Sequence, residues 1–249
     1  MLSVLAFLAL ASVLGAADAA RAQGRPQAAP WIQLAIVQVD PTMVDEYAAV
    51  QRELAARVKR AGTPWRSVCR TDVFGDSYRF LIATPLQSLA SLDARQDAEL
   101  AALGSRAQRY VKNQQVFALR TIPELDNPLP DKQQPSLIVV NLVKIVPGRE
   151  QDYFELMKSE FLPHFDKAGF HHTSGALAFG GDASYIHLFY VRDFAKLDEG
   201  SPVMKALGPK GAQGVTGKLS GIVTSSEMWI ARLVPEASYG AWTAAPAKP

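Results

Sequence analysis

The sequence contains the same unit twice, and this duplication constrains the fold more than any other feature. Residues 34–62 and 140–169 each read as an apolar strand, a proline, a short polar turn and a long amphipathic helix. The equivalent residues are Pro41 and Pro147, and Tyr47 and Tyr153, both pairs offset by 106 positions. Residues 74–83 also match 179–190, and residues 116–124 match 228–236. Because the matches keep their order and the repeat is far longer than that of a solenoid, the sequence predicts a duplicated domain.

In both units, segments with the apolar pattern of a strand and segments with the apolar pattern of a helix follow one another in the same order. Residues 32–39 and 137–146 are β-branched runs with apolar residues on both faces, which indicates central strands. The helices that follow carry apolar residues at steps of three and four, end at Gly62 and Gly169, and include Pro163, which predicts a kink in the second. A Gly/Asp turn then joins two strands, and a helical region broken by glycines leads to a last strand. The order β-α-β-β-α-β is that of a ferredoxin-like unit.

A ferredoxin-like sheet has helices on one face, so its other face must be covered. We therefore predict an α+β fold in which two tandem ferredoxin-like units, residues 31–124 and 137–236, pack sheet to sheet as an intrachain pseudo-dimeric α/β barrel. Residues 125–136 are predicted to be a Pro-rich linker. Residues 237–249 are rich in Ala and are predicted to be a disordered tail. The protein is accordingly expected to be a monomer whose two units pack against each other as the two subunits of a dimer would.

One segment suggests a family. Residues 143–153 read V-x-x-V-P-G-x-x-x-x-Y, and the helix after them ends in Lys-Ala-Gly. This pattern resembles the dimeric α+β barrel superfamily, in particular its NIPSNAP-like and antibiotic-biosynthesis-monooxygenase-like domains. The resemblance implies units that pair through their sheets. It also implies a range of roles that includes cofactor-independent monooxygenases and haem-binding or haem-degrading enzymes, so it sets no single activity.

The first 22 residues are predicted to be a signal peptide. Residues 2–17 are almost entirely apolar or small, and Ala20-Arg21-Ala22 forms an A-x-A cleavage site ahead of Gln23. The apolar run is shorter than the ~20 residues that a membrane-spanning helix needs, so we expect export, periplasmic or secreted, with no membrane contact after cleavage. A net charge of +2 without Lys/Arg clusters argues against nucleic acid. The single Cys69 reads as a small buried hydrophobic residue.

The candidate site comes from the histidines, because all four lie in the second unit. A hairpin with Gly181-Asp182 at its tip would place His187 opposite Ala176 on one face of the sheet. That face carries the predicted ligand-binding residues His172, Ser174, Tyr185, His187 and Phe189. The opposite face is more aliphatic, so we expect it to pack on the helices and the polar face to line the space between the two sheets. The matching strand of the first unit has Phe80 where His187 stands, which predicts a site in the second unit only.

Several alternatives stay open at this point. His187 could instead be a core histidine with its hydrogen bonds satisfied, and Asn141, a polar residue in an apolar strand, could belong to a pocket. No H-x-x-x-H, C-x-x-C or carboxylate cluster accompanies the histidines, so no metal site is predicted, and no catalytic residue or cofactor is identified. The favoured function is binding of a small, mostly apolar ligand between the sheets. The alternative is a cofactor-independent monooxygenase or a haem-binding or haem-degrading enzyme.

Overall fold

The computed structural model describes residues 31–93, 97–130, 133 and 135–240. The predicted signal peptide, and residues 241–249 of the predicted tail, lie outside this range. The first unit comprises β1 (Trp31–Val39), α1 (Val44–Arg60), β2 (Ser67–Thr71), β3 (Arg79–Leu86), α2 (Ala98–Gln108) and β4 (Val111–Thr121). The second comprises β5 (Leu137–Ile145), α3 (Glu150–Leu156), α4 (Leu162–Lys167), β6 (His171–Phe179), β7 (Tyr185–Val191), α5 (Phe194–Asp198), α6 (Pro202–Gly217) and β8 (Val223–Leu233). In the described part of the chain, every helix is too short or too polar to cross a bilayer.

The eight strands form one closed antiparallel barrel in the order β1-β3-β2-β8-β5-β7-β6-β4. Each unit contributes four neighbouring strands in the ferredoxin-like order. Hydrogen bonds join the units along two seams, β2 with β8 and β4 with β6. The prediction of two tandem ferredoxin-like units that pack as an intrachain barrel is therefore confirmed. Closure removes the free sheet edges along the seams, as it does in two-subunit barrels.

Residues from both units fill the barrel interior. Leu34 and Leu81 of the first unit lie in the same buried cluster as Val140 and Leu188 of the second. Cys69 belongs to this cluster, is fully buried, and its thiol pKa is raised by burial to about 12, as expected of a small hydrophobic residue. An eight-stranded barrel leaves just enough room for its own side chains, so the interior is a packed core.

The helix that follows β5 changes its winding before Pro163. Residues Met157–Phe161 form a π-helical segment between α3 and α4, and Pro163 lies in the first turn of α4. Proline lacks the amide that would continue the α-helical ladder, so the preceding turn widens. The predicted irregularity at Pro163 is therefore present.

Two short segments, which we call straps, cross from each unit to the other. Strap 1 (residues 123–127) follows β4 of the first unit, and its Asn127 forms a β-bridge with His172 on β6 of the second. Strap 2 (residues 235–239) follows β8, and its Tyr239 forms a β-bridge with Arg66 in the first unit. Each strap begins with a 3₁₀ turn, Pro123–Leu125 in one and Pro235–Ala237 in the other. The repeat thus extends beyond Glu124 and Glu236.

Strap 1 overlaps the predicted linker, and strap 2 overlaps the predicted tail. Leu125, at the start of the predicted linker, is buried in the core of the second unit. Ala237 is buried in the core of the first unit, and the hydroxyl of Ser238 accepts a hydrogen bond of 2.9 Å from the amide of Val68. The prediction of disorder is therefore wrong for residues 237–239, because backbone pairing, side-chain hydrogen bonds and burial hold them.

Candidate functional site

The five predicted site residues lie together, but on the other side of the sheet. Ile186, Leu188 and Tyr190 point into the barrel, whereas Tyr185 and Phe189 pack in a cluster with the helices of the second unit. The prediction that the polar face lines the space between the two sheets is wrong. Both faces of β7 are buried, so alternation alone could not give the direction. On β7, Ile186, Leu188 and Tyr190 fill the narrow barrel, and Tyr185 and Phe189 face the helices.

The hairpin register also differs from the prediction. Ser174 lies opposite His187, and Ala176 lies opposite Tyr185. The turn covers residues 180–184 instead of two residues at Gly181-Asp182, which shifts each pairing by two positions. Because side chains alternate with a period of two, this shift leaves the predicted set of residues on one common face.

His187 is fully buried and hydrogen-bonded at both ring nitrogens. Its Nε2 lies 2.8 Å from the hydroxyl oxygen of Tyr153 on α3, and its Nδ1 lies 2.9 Å from the hydroxyl of Ser174 on β6. The Ser174 hydroxyl also donates a hydrogen bond of 3.2 Å to the carbonyl of Leu125 in strap 1. The four residues therefore form one continuous hydrogen-bonded chain, which we call the polar chain.

The direction of the polar chain follows from counting hydrogens. Ser174 has one hydroxyl hydrogen, which it gives to Leu125, so its oxygen accepts from the Nδ1–H of His187. Burial, together with the nearby His172, lowers the pKa of His187 to about 3, so the imidazole is neutral at pH 7. A neutral imidazole with its proton on Nδ1 accepts at Nε2, and Tyr153 is therefore the donor there. The Tyr153 oxygen keeps lone pairs that can accept a further hydrogen bond.

The remaining predicted residues surround this chain. His172 is buried, its Nε2 lies 2.8 Å from Asp166, and its Nδ1 has no hydrogen-bond partner among the described residues. The Tyr185 hydroxyl donates to the carbonyl of Glu150. Phe189 packs beside the ring of His172, with ring centroids 5.8 Å apart. His187 is thus a core histidine with its hydrogen bonds satisfied, the alternative that the sequence left open.

A cavity of about 540 Å³ lies next to this cluster, between the outer sheet face and the helices of the second unit. Its apolar wall includes Met157, Phe161, Phe165, Phe189, Val203 and Leu219. Its polar lining includes Asn141, Tyr153, Ser201, Gln213, Thr216 and Ser226. No charged side chain lines it in the part of the chain that the structure describes. Of the five predicted residues, Phe189 lines the cavity, and the others form its support.

Asn141 lines the sheet side of the cavity, which we call its floor, and lies on β5 directly opposite His187 on β7. Its Oδ1 accepts a hydrogen bond of 2.6 Å from the hydroxyl of Ser226. Its amide nitrogen has no partner among the residues described, so two N–H donors remain free. Tyr153 is the site residue that sequence reasoning missed. The repeat shows its equivalence to Tyr47, but no sequence pattern indicates its contact with His187.

The strand ladders correct one repeat alignment. Val37 pairs with Phe80 in the first unit, and the equivalent Val143 pairs with Tyr185 in the second. Phe80 therefore corresponds to Tyr185, and the residue at the position of His187 is Ile82. Ring packing agrees, since Tyr47 and Phe80 have centroids 4.9 Å apart, as do Tyr153 and Tyr185.

Comparison with known proteins supports the fold of this chain and nothing finer. No protein-family model matches the sequence, and no curated protein does. An anthrone oxidase-like protein superposes with a TM-score of 0.60 at 12% identity, covering 89% of this chain and 97% of its own. A chlorite dismutase variant from Candidatus Nitrospira defluvii gives 0.57 at 12% identity, covering 85% and 93%. A candidate monooxygenase from Lactobacillus acidophilus NCFM gives 0.59 at 11% identity, covering 85% and 96%.

The chain has the duplicated dimeric α+β barrel fold. Haem binding is one of the roles that the sequence resemblance implies, and the chemistry of the cavity lining decides whether haem fits there. Iron in haem is held by His, by a Cys or Tyr anion, or by Met together with His. The described cavity lining has no His or Cys, and its phenol, Tyr153, donates its proton to His187 and has a pKa raised by burial. Among the described lining residues, none is a cation that could meet the propionate groups. These residues do not fit haem.

Proposed function

We propose that the protein binds a small, neutral, mostly apolar molecule in the cavity of the second unit. The observation that carries this proposal is a cavity of about 540 Å³ whose described lining is largely apolar and uncharged. Such a lining favours transfer of an apolar ligand from water at ~25 cal/mol per Å² of buried surface. The location differs from the predicted space between the sheets, which the core side chains fill.

Binding is favoured over catalysis by the chemistry of the buried groups. A general base works best with a pKa near the working pH and with a free nitrogen within reach of its substrate. His187 has both nitrogens bonded inside the protein, and burial lowers its pKa to about 3. His172 keeps an Nδ1 that has no partner among the described residues, but it does not line the cavity. The described lining therefore supplies recognition groups and contains no imidazole or carboxylate that could act as a general base.

The mouth of the cavity supports uptake of apolar molecules from solution. Met228 on β8 is 63% exposed and Met204 on α6 is 46% exposed, and both line the cavity. Methionine side chains adapt to ligands of different shape, because they are unbranched and polarizable. We further propose that the protein is exported and acts as a monomer.

The test is binding of 2-methylnaphthalene, a neutral apolar probe, to the full-length protein by isothermal titration calorimetry. We expect saturable binding that is lost in Ser226→Trp, because Ser226 is exposed on β8 and its side chain lines the cavity. The matched control is Gln114→Trp, which makes the same change at the equivalent exposed position of β4. Equal binding by both variants, or no binding by the wild-type protein, would contradict the proposal.

A further inference from the structure

We infer that the ligand is an aromatic molecule that carries a hydroxyl group, and that Asn141 and Tyr153 bind this hydroxyl at the cavity floor. This inference rests on the proposed function and adds the chemical class of the ligand. It is carried by two observations, the difference between the two units and the hydrogen-bonding capacity that the floor leaves free.

The first unit shows which residues the fold requires. Its strands place Ala35, Ile82 and Val68 where the second unit has Asn141, His187 and Ser174. The equivalent tyrosine is kept, as Tyr47. The same strand and helix arrangement therefore forms without an amide, an imidazole or a hydroxyl at these positions. A polar set that the fold does not need, and that borders the cavity, is best explained by a ligand.

The second observation is the pair of groups that the floor presents. The amide nitrogen of Asn141 is a free donor, because its oxygen is the atom that Ser226 bonds. The oxygen of Tyr153 is a free acceptor, because its proton goes to His187. Asn141 lies opposite His187 on the neighbouring strand, and Tyr153 is hydrogen-bonded to that same histidine. Asn141 and Tyr153 both line the cavity, so the donor and the acceptor face the same part of it. One hydroxyl group, which both donates and accepts, satisfies both.

The rest of the cavity indicates that the hydroxyl is on an aromatic ring. Phe161, Phe165 and Phe189 line it, and the rings of Phe165 and Phe189 stack with centroids 4.7 Å apart. Met157, Met204 and Met228 also line it, and thioether sulfur makes favourable contacts with aromatic rings. Aromatic walls favour flat ring systems through offset and edge contacts.

The experiment compares three probes of similar size by calorimetry, namely 2-naphthol, 2-methoxynaphthalene and 2-methylnaphthalene. The hydroxyl of 2-naphthol can use both groups, the ether oxygen can only accept, and the methyl group can do neither. We expect 2-naphthol to bind about tenfold more tightly than 2-methylnaphthalene, with 2-methoxynaphthalene between them.

Two variants separate the groups. Asn141→Ala, which installs the residue of the first unit, should remove the advantage of 2-methoxynaphthalene and most of that of 2-naphthol. Tyr153→Phe should weaken 2-naphthol alone. The quantity compared is, for each variant, the ratio of its affinity for the oxygen-bearing probe to its affinity for 2-methylnaphthalene, and circular dichroism shows that each variant is folded.

Equal affinity of the wild-type protein for all three probes would overturn this inference and leave the proposed function standing. Failure to bind any of them would overturn both. Retention of the 2-naphthol preference in both variants would also refute it, because the hydroxyl would then be bound elsewhere.

Discussion

Tyr153 and His187 lie on different elements of the second unit, and the phenol oxygen is 2.8 Å from the ring nitrogen Nε2, with both side chains almost completely buried. On the other side of the ring, the hydroxyl of Ser174 is hydrogen-bonded to Nδ1, so both ring nitrogens of His187 have a partner. No part of this arrangement depends on solvent. Its stability therefore depends on every member having its partner.

Replacement of His187 by Ile, the residue at the equivalent position of the first unit, should destabilise the protein by about 1–3 kcal/mol. The reason is that the hydroxyls of Tyr153 and Ser174 lose a buried partner. The triple variant Tyr153→Phe/Ser174→Val/His187→Ile should cost less than the sum of its single changes, because it removes the partners together. Urea denaturation gives the free energy of unfolding of the single variants and of the triple variant. A single variant as stable as the wild-type protein would show that the polar chain contributes nothing.

Asp126 in strap 1 should make stability depend on pH. Its carboxyl accepts a hydrogen bond of 2.6 Å from the amide of Ser174, but burial raises its pKa to about 7 from an ordinary value of 3.8. The folded state therefore holds the proton more tightly than the unfolded state. This contribution to the free energy of unfolding is fully present below about pH 4 and is lost as the pH rises through 7.

The test of this effect is Asp126→Asn, which keeps an oxygen acceptor for the amide of Ser174 and carries no charge. We expect it to be more stable than the wild-type protein at pH 8, by on the order of 2 kcal/mol, and to show little gain at pH 4. Thermal unfolding across this pH range gives the comparison. An equal gain at both pH values would mean that ionisation of Asp126 is not the cause.

Gly180 should tolerate no side chain at the seam between β4 and β6. Its φ is +111°, and a Cβ there would overlap the carbonyl oxygen of Val116 and lie 2.7 Å from the Cα of Phe117. Gly148 is the matched control, since its φ is +85° but nothing lies within 4 Å of its Cβ position. We expect Gly148→Ala to cost about 1 kcal/mol and Gly180→Ala clearly more. Equal midpoints in urea would contradict a close approach at the seam.

Removal of the hydroxyl of Ser238 should weaken strap 2. This hydroxyl accepts from the amide of Val68 and donates to the carbonyl of Val234 at 2.8 Å. We expect Ser238→Ala to reduce the free energy of unfolding by about 1–2 kcal/mol, because the amide of Val68 loses its side-chain acceptor. Calorimetric unfolding of the full-length protein provides the value. No change would indicate that the hydroxyl of Ser238 contributes nothing to the attachment of strap 2.

The predicted export signal can be tested directly. The chain should be cleaved after Ala22, so that the mature protein begins at Gln23. N-terminal sequencing of protein recovered from the periplasm or the medium is the measurement. Recovery of the intact N-terminus from the cytosol would refute export.

The barrel could be predicted from the sequence because its evidence is periodic. The repeat at 106 residues and the change from strand to helix period appear in both units, so each supports the other. The strands of Leu137–Ile145 and Tyr185–Val191 are buried on both faces, and there the pattern contains no information about direction. The inversion of the polar face follows from this, since only tertiary packing decides which side chains fill the barrel.

The site could be predicted in part for a related reason. The sequence predicts one common face for His172, Ser174, Tyr185, His187 and Phe189, because the side chains of a strand alternate whatever its register. The role of Tyr153 depends on the helix that lies over that face, and the mouth of the cavity depends on α6, which Gly208 breaks with a φ of +68°. Those long-range positions are not encoded in any local pattern of the sequence.

The polar set of the second unit has a consequence for stoichiometry. A barrel made of two identical subunits would carry two equal sites. Any amino-acid substitution in one site would then also be present in the other. Here the halves are joined in one chain, and Ala35 and Asn141 occupy the same position with different chemistry. A titration should therefore end at one molecule of ligand per chain, along a simple hyperbola without cooperativity.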